Sequence, residues 1–392
     1  MPSTRDDRAN TAWDVVIVGA GPAGAATAIT LAKLGQRVLL VEERVSTRFK
    51  LGESLPPTAI GMVKHFLGDT EGPEQNLVGL YRTAGNVSIW ATEQPDTTDF
   101  FFTLAGCGLC VDRLAFDEAL RSKAVAAGVA LLKGIRFESC TRIDGRSSNW
   151  QLTLSSETLT QQHRARYLVD CSGRRAIVAR ALGIPIIDND DRLFAYAQWF
   201  SCVGDDDDRY TRIEAAPQGW WYSNRLPGTE GNETRRLVVM HSDKDLPAAR
   251  LAAHGYGFDQ LLDESTHIAP LLEARGYQPC GKIRGAPANS QRLQDFCGDA
   301  WMAVGDAAQA YDPLSSQGMD KALRTGSHAG HMIHYALTDS PQDVAGLGCR
   351  NAYVHQYDEQ QRQLWETYVS QRDFYYGMQR RWSDELFWQR RR

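Results

Sequence analysis

Six residues, Gly19-Ala20-Gly21-Pro22-Ala23-Gly24, limit what this chain can fold into more than any other feature. They close a short apolar run, Asp14 to Val18, whose β-branched residues predict a buried parallel strand. They open an Ala-rich stretch, Gly21 to Leu34, predicted as a helix that Gly35 ends. Arg37 to Glu42 predicts a second strand, so the chain begins as a βαβ unit. In that setting Gly19 permits the tight turn, Gly21 lets the backbone approach a pyrophosphate, and Gly24 lets helix and strand pack closely. The free N–H groups at the helix start, around Pro22 and Ala23, then face the anion, each charge being worth about 0.3–1 kcal/mol. Glu42, with Glu43 beside it, ends the second strand where a carboxylate can accept hydrogen bonds from both hydroxyls of an adenosine ribose. That favours a ribose without a 2′-phosphate.

At 392 residues the chain has room for two or three cooperating substructures around a large core. A formal net charge of −5 argues against general affinity for nucleic acid or an anionic membrane. No apolar run reaches the length of a bilayer span, and Met1 to Asn10 lacks the apolar core of a signal peptide, so a cytoplasmic enzyme is expected. Eight scattered cysteines make no disulfide framework. Cys107-Gly108-Leu109-Cys110 is open to three readings: a redox dithiol, half a zinc site, or small buried side chains. The last is favoured, because no second pair completes a metal site. His328, His331 and His334 drift around a helix without a carboxylate partner, so no metal is expected there. The acidic run Asp205 to Asp208 reads as a solvated turn.

Further along, Pro56 to Leu67 and Phe116 to Ala127 are predicted helices, the second capped by Asp112 and stopped by Gly128. Strands are predicted near 129–132, 149–154 and 166–169. Between 193 and 241 the texture changes: Leu193–Cys202, Gly219–Leu226 and Arg236–His241 are rich in aromatic and β-branched residues and predict antiparallel strands of a second sheet. Ala300 to Val304 is again a buried strand, and Gly318 to Leu337 a long helix. After Pro341 the chain is helical, and its aromatic residues, including Tyr353, Tyr357, Trp365, Tyr368, Phe374, Tyr375, Trp382 and Trp388, read as packing.

Two later segments decide which dinucleotide. Gly305-Asp306-Ala307-Ala308 follows an apolar strand, and its aspartate can hydrogen-bond a ribityl chain, which a nicotinamide dinucleotide lacks. Tyr311-Asp312-Pro313-Leu314-Ser315-Ser316-Gln317-Gly318-Met319 then leads into a helix whose N–H groups can face a flavin pyrimidine ring, where negative charge settles on reduction. Asp112-Arg113-Leu114-Ala115-Phe116-Asp117 offers Arg113 to cofactor phosphate or flavin carbonyl. With Tyr167-Leu168-Val169-Asp170-Cys171-Ser172-Gly173-Arg174, these segments resemble, in order and spacing, the glutathione-reductase-type flavoprotein monooxygenases from Asp14 to about Leu337.

That resemblance implies an α/β fold: a Rossmann FAD-binding domain made of residues 1–85, 103–190 and 280–340, a mainly antiparallel β-sheet substrate domain of 86–102 and 191–279, and a C-terminal helical segment of 341–392. Arg48-Phe49-Lys50-Leu51-Gly52-Glu53-Ser54-Leu55-Pro56 resembles the Gly-Glu-Ser segment of flavin-dependent halogenases, which adds Arg48, Lys50, Glu53 and Ser54 to the cofactor side along with Gly305, Asp306, Pro313, Gly318 and Met319. Arg381-Trp382 through Arg390 resembles the same group, and Gly219-Trp220-Trp221-Tyr222-Ser223 with Leu226-Pro227 is a diverged form of its Trp-x-Trp-x-Ile-Pro strand. Two departures point away from halogenation. No lysine stands between Lys64 and Lys123, where halogenases place the one that receives hypohalous acid, and Ser315 stands where tryptophan halogenases carry a glutamate. The remaining pattern is similar to the flavoproteins that mature cysteine tryptophylquinone enzymes.

The function this implies is an FAD-dependent monooxygenase that adds oxygen from O2 to an aromatic ring, a tryptophan of a precursor quinoprotein amino-acid oxidase. Trp220, Tyr222, Pro313, Ser316 and Gln317 would shape the site. Electrons would come from NAD(P)H or an external flavin reductase. The alternatives are a small-molecule aromatic hydroxylase or halogenase, a flavin-holding assembly partner without turnover, and a reductase of isoprenoid chains.

Overall fold

Val15 to Val18 are sealed on both faces, at most 5% exposed, which places their strand at the centre of a sheet covered by other elements on either side. In the computed structural model, which describes residues 12–46, 50–68, 80–102, 106–143, 150–188, 190–227, 233–339 and 352–392, that strand is Ala12–Val18. It pairs in parallel with Val38–Glu42 on one side and Thr160–Asp170 on the other. Ala130–Lys133 extends the parallel order beyond Val38–Glu42, and Trp301–Ala303 extends it beyond Thr160–Asp170. A hairpin, Arg136–Arg142 with Trp150–Ser155, attaches antiparallel to the start of Thr160–Asp170. Helix Pro22–Lys33 is buried over its first ten residues and packs against the long helix Gly318–Thr338. A doubly covered parallel sheet of this kind is the Rossmann-type FAD-binding fold.

A second sheet of seven strands runs in the order Gln278–Pro287, Leu193–Val203, Glu233–Asp243, Gly219–Arg225, Tyr210–Ala216, Gly85–Ile89 and Asp96–Asp99. All its pairings are antiparallel except Tyr210–Ala216 with Gly85–Ile89. Alternation along each strand divides the side chains between two faces. Tyr196, Phe200, Trp221, Val238 and Met240 pack on three short helices, Pro247–Ala252, Gly255–Asp263 and Ile268–Ala274. Ala195, Ala197, Trp220, Leu237 and Val239 face the other way, toward Tyr376, Phe387 and Trp388 of the C-terminal helices. The three short helices and the strand Tyr210–Ala216 are additions to the elements read from the sequence.

The region 205–208 corrects the sequence reading. Arg236 is fully buried in its strand, and its Nη2 lies 2.8 Å from Asp206 Oδ2 and 2.9 Å from Asp208 Oδ2. Arg275 and the Tyr277 hydroxyl also reach Asp206. A guanidinium taken out of water needs paired carboxylates, so Asp206 and Asp208 turn inward while Asp205 and Asp207 stay at the surface. Pro56–Leu67 also differs, being a short 3₁₀ turn, Pro57–Ala59, before the α-helix Ile60–Leu67.

In the helix Ala352–Met378, Tyr357, Tyr368 and Tyr376 are buried, as expected of packing, but Phe374 and Tyr375 lie on its outer face, 65% and 53% exposed. The stretch 341–351 and Arg48 lie outside the described residues. Cys110 is sealed within strand Gly108–Val111, and burial, then the Glu53 carboxylate, push its thiol well up. The described cysteines are all free, and no cluster of His, Cys, Asp and Glu suited to a metal occurs among the described residues. None of the described helices is long and apolar enough to cross a membrane.

Candidate active site

A cavity of about 460 Å³ is walled on one side by the carboxyl ends of the parallel strands and on the other by the second sheet. Gly19, Gly21, Pro22 and Ala23 lie at its floor. Gly19 has φ +103°, and a Cβ there would stand 2.3 Å from the Cys171 carbonyl oxygen; one on Gly24 would stand 1.9 Å from the Gly19 oxygen. Gly21 differs. A Cβ there would meet no protein atom within 4 Å, so the space it would take belongs to the cavity. That is the space a pyrophosphate would occupy over the helix start.

Glu42 and Glu43 line the same cavity. Glu42 accepts the Ala20 N–H at 3.0 Å and the Arg44 N–H at 3.1 Å, so its carboxylate is aimed before any ribose arrives. Glu43 is paired with Arg175 at 2.6 Å. Lys50 is held by Asp117, and Arg113 donates to the Leu51 and Gly52 carbonyls at 2.6 and 3.1 Å and to Asp117 at 3.3 Å. Burial works to raise the Asp117 carboxyl, but Arg113 and Lys50 outweigh it and hold it below the usual range. Arg113 thus fixes the Gly-Glu-Ser turn. Asp112 caps its helix, accepting the Leu114 and Ala115 N–H groups at 2.8 and 2.9 Å.

At the far end, Asp306 accepts a hydrogen bond from Lys321 Nζ at 2.9 Å. Lys321 is 6% exposed, also donates to the Gln309 carbonyl, and lies 4.1 Å from the centre of the Tyr311 ring. Burial would raise Asp306; Lys321, then Arg174, hold it low. The charged lysine is the part of this site that sequence reasoning missed. In the sequence it shares its helix face with Arg324, Thr325 and His328, so no apolar pattern singles it out.

The loop after Asp306 is tied to the C-terminal helix and, through it, to the second sheet. Asp312 accepts the Leu314 N–H at 2.8 Å and the Tyr376 hydroxyl at 2.7 Å. Tyr376 in turn accepts the Trp220 indole N–H at 3.0 Å, and Trp220 stacks on His241 with ring centres 3.7 Å apart. Burial, then Asp191, push the Asp312 carboxyl up to about 6.

The cavity gathers most of the residues singled out in the sequence: Lys50, Glu53, Ser54, Arg113, Tyr222, Asp306, Pro313, Ser316, Gly318 and Met319 all line it. Gly24 sits behind it against the Gly19 backbone, and Gly305 against the Ala23 side chain. Two candidates are placed elsewhere. Trp220 is 1% exposed and lies behind His241: it shares the strand face of Tyr222, but the C-terminal helices cover that end of the face and its indole donates to Tyr376; Gln317 points away to Gln371. His241, absent from the sequence reading, takes the wall position instead.

An open space over a helix start, a carboxylate aimed by two backbone N–H groups and a lysine-paired aspartate at the far end are the features FAD would need along one cavity. The chain belongs to the FAD dependent oxidoreductase family, whose model matches residues 14–212. It is similar over its whole length to the putative FAD-dependent oxidoreductase LodB of Marinomonas mediterranea, at 27% identity covering 97% of this chain and 96% of that one. A 1H-pyrrole-2-carbonyl-[peptidyl-carrier protein] brominase of Pseudoalteromonas luteoviolacea is also 27% identical, covering 83% and 78%. Among solved structures, the myxobacterial chondrochloren halogenase CndH superposes with a TM-score of 0.81 at 22% identity, covering 97% of this chain and 86% of that one. The peptidyl tryptophan dihydroxylase QhpG, essential for tryptophylquinone cofactor biogenesis, superposes at 0.67 and 24%, covering 97% and 79%. The protein is therefore a halogenase-like, FAD-dependent oxidoreductase.

Proposed function

We propose that this enzyme is a monooxygenase acting on an aromatic ring, and that its substrate is a tryptophan side chain of a partner oxidase precursor on the way to a tryptophylquinone. FAD, held by the Gly19–Gly24 turn, Glu42 and Asp306, supplies oxygen activation once reduced by NAD(P)H or a separate reductase. The protein's own part is to close the site to water and to hold the ring. The observation that carries the reading is the state of Lys50. Among the described residues it is the sole lysine lining the cavity, and it is bound to Asp117. No free ammonium is left there to receive a hypohalous acid, which halogenation would require. The full-length likeness to LodB and the fold shared with the tryptophan dihydroxylase support the choice of substrate.

A second reading, hydroxylation or halogenation of a small carrier-bound or free aromatic compound, is favoured by the carrier-protein brominase among the relatives. Co-expression with a precursor oxidase, followed by mass analysis of its tryptophans, separates the two. Added oxygen that disappears with Asp306→Ala is expected. An unmodified precursor, with bromide-dependent turnover of a free pyrrole or phenol, would overturn the proposal.

A further inference from the structure

His241 is 3% exposed and lines the cavity, and the Trp220 backbone is a hydrogen-bond neighbour of its ring. On the adjacent strand and the same face, Tyr222 also lines the cavity, its hydroxyl beside the Glu53 carboxylate. Leu237, Val239 and Ala195 fill the rest of that wall. The imidazole is also held in one plane: it lies 11° from parallel to Trp220, whose indole N–H is tied to Tyr376, which is tied to Asp312 in the loop at the other side of the cavity. An apolar, flat wall with one fixed polar ring in it is suited to a flat ligand that carries one polar edge.

From this we infer that His241 is the group that recognises the substrate ring, accepting a hydrogen bond from an aromatic N–H or O–H on its unprotonated nitrogen. This rests on the aromatic-substrate reading above. Burial keeps the imidazole neutral, its pKa lowered to about 3, and a neutral imidazole always offers one bare nitrogen. The Trp220 backbone beside the ring favours the proton on one nitrogen and so frees the other. An acceptor fixed in this way selects indole, pyrrole or phenol rings over equally large rings that lack the donor, because an analogue without it leaves the buried nitrogen unpaired.

The test uses the FAD-loaded enzyme and three probes: indole, 3-methylindole and 1-methylindole, the last two equal in size but only the first of them keeping the N–H. Binding is followed by calorimetry and by the change in the flavin spectrum. Wild type is expected to bind 3-methylindole about tenfold more tightly than 1-methylindole. In His241→Phe, which keeps the stack on Trp220, the ratio should fall to about one. In His241→Gln, which restores an acceptor, it should recover in part. Equal affinities in wild type, or an unchanged ratio in His241→Phe with full FAD content, overturn the inference while leaving precursor oxygenation standing. Failure of the enzyme to bind any indole overturns the inference and the aromatic reading together.

Discussion

The two sides of the cavity are built in opposite ways. On the cradle side, nearly every polar group is already satisfied within the protein: Glu42 by the Ala20 N–H, Lys50 by Asp117, Arg113 by the Leu51 carbonyl, Asp306 by Lys321. On the sheet side only two polar side chains among the described residues, Tyr222 and His241, reach the wall, set among Ala195, Leu237 and Val239. A cradle whose contacts are preset binds one invariant nucleotide without reorganising. A wall with few polar groups puts little constraint on its ligand, and there substrates can differ among relatives that share a fold.

The sharpest way to break this contrast is at Asp306. Replacing it with alanine leaves the buried Lys321 ammonium without its carboxylate, a loss of about 3–5 kcal/mol for an uncompensated buried charge. Asp306→Ala is expected to purify without flavin colour and to melt well below wild type, with Asp306→Asn intermediate. A yellow, normally stable Asp306→Ala protein would show that the cradle is not preset by this pair. Absorbance of the purified protein and thermal melts decide it.

The contrast also predicts opposite responses to pH. His241 is depressed below its unfolded value, so its contribution to stability is present above about pH 6.5 and is lost as pH falls toward about 3. Asp312 is raised from the ordinary 3.8 to about 6. Its folded form keeps the proton that the unfolded form has lost, so stability is greatest below about pH 4 and declines as pH rises through about 6. Melting curves from pH 4 to 8 should show Asp312→Asn gaining on wild type as pH rises, by about 1–3 kcal/mol, and His241→Gln gaining as pH falls. The same slope in both variants would contradict the assignment.

The smallest effect is expected at Trp220→Phe. It keeps the stack on His241 but gives up the hydrogen bond to Tyr376, costing about 1 kcal/mol with FAD content unchanged. Chemical denaturation resolves a change of that size, and loss of FAD instead would place Trp220 in the cradle after all.

How much of this was legible in the chain differs by region. The turn at Gly19–Gly24, the cap at Asp112 and the cores of the main strands follow from local requirements: a positive φ, a close backbone approach, an apolar run. Such needs are met by residues next to one another, so they leave a pattern. The acidic run misled because its partners, Arg236 and Arg275, stand about 30 and 70 residues away, and a charge run alone does not reveal whether a buried guanidinium awaits it. Trp220 shares the strand face of Tyr222, and only the C-terminal helix lying over that end of the face keeps it out of the wall, a contact made 156 residues away.

By itself, then, the sequence determined the turn at Gly19–Gly24 and the cap at Asp112, because a positive φ, a close backbone approach and a capping side chain are needs local to the motif. The tertiary structure alone decided that His241 would stand in the wall, that Lys321 would lie beneath Asp306, and that the C-terminal helix would join loop to sheet through Tyr376. Those are pairings across distances of 15 to 156 residues, and their free energy comes from burial and partnership that exist only once the two halves have closed on each other.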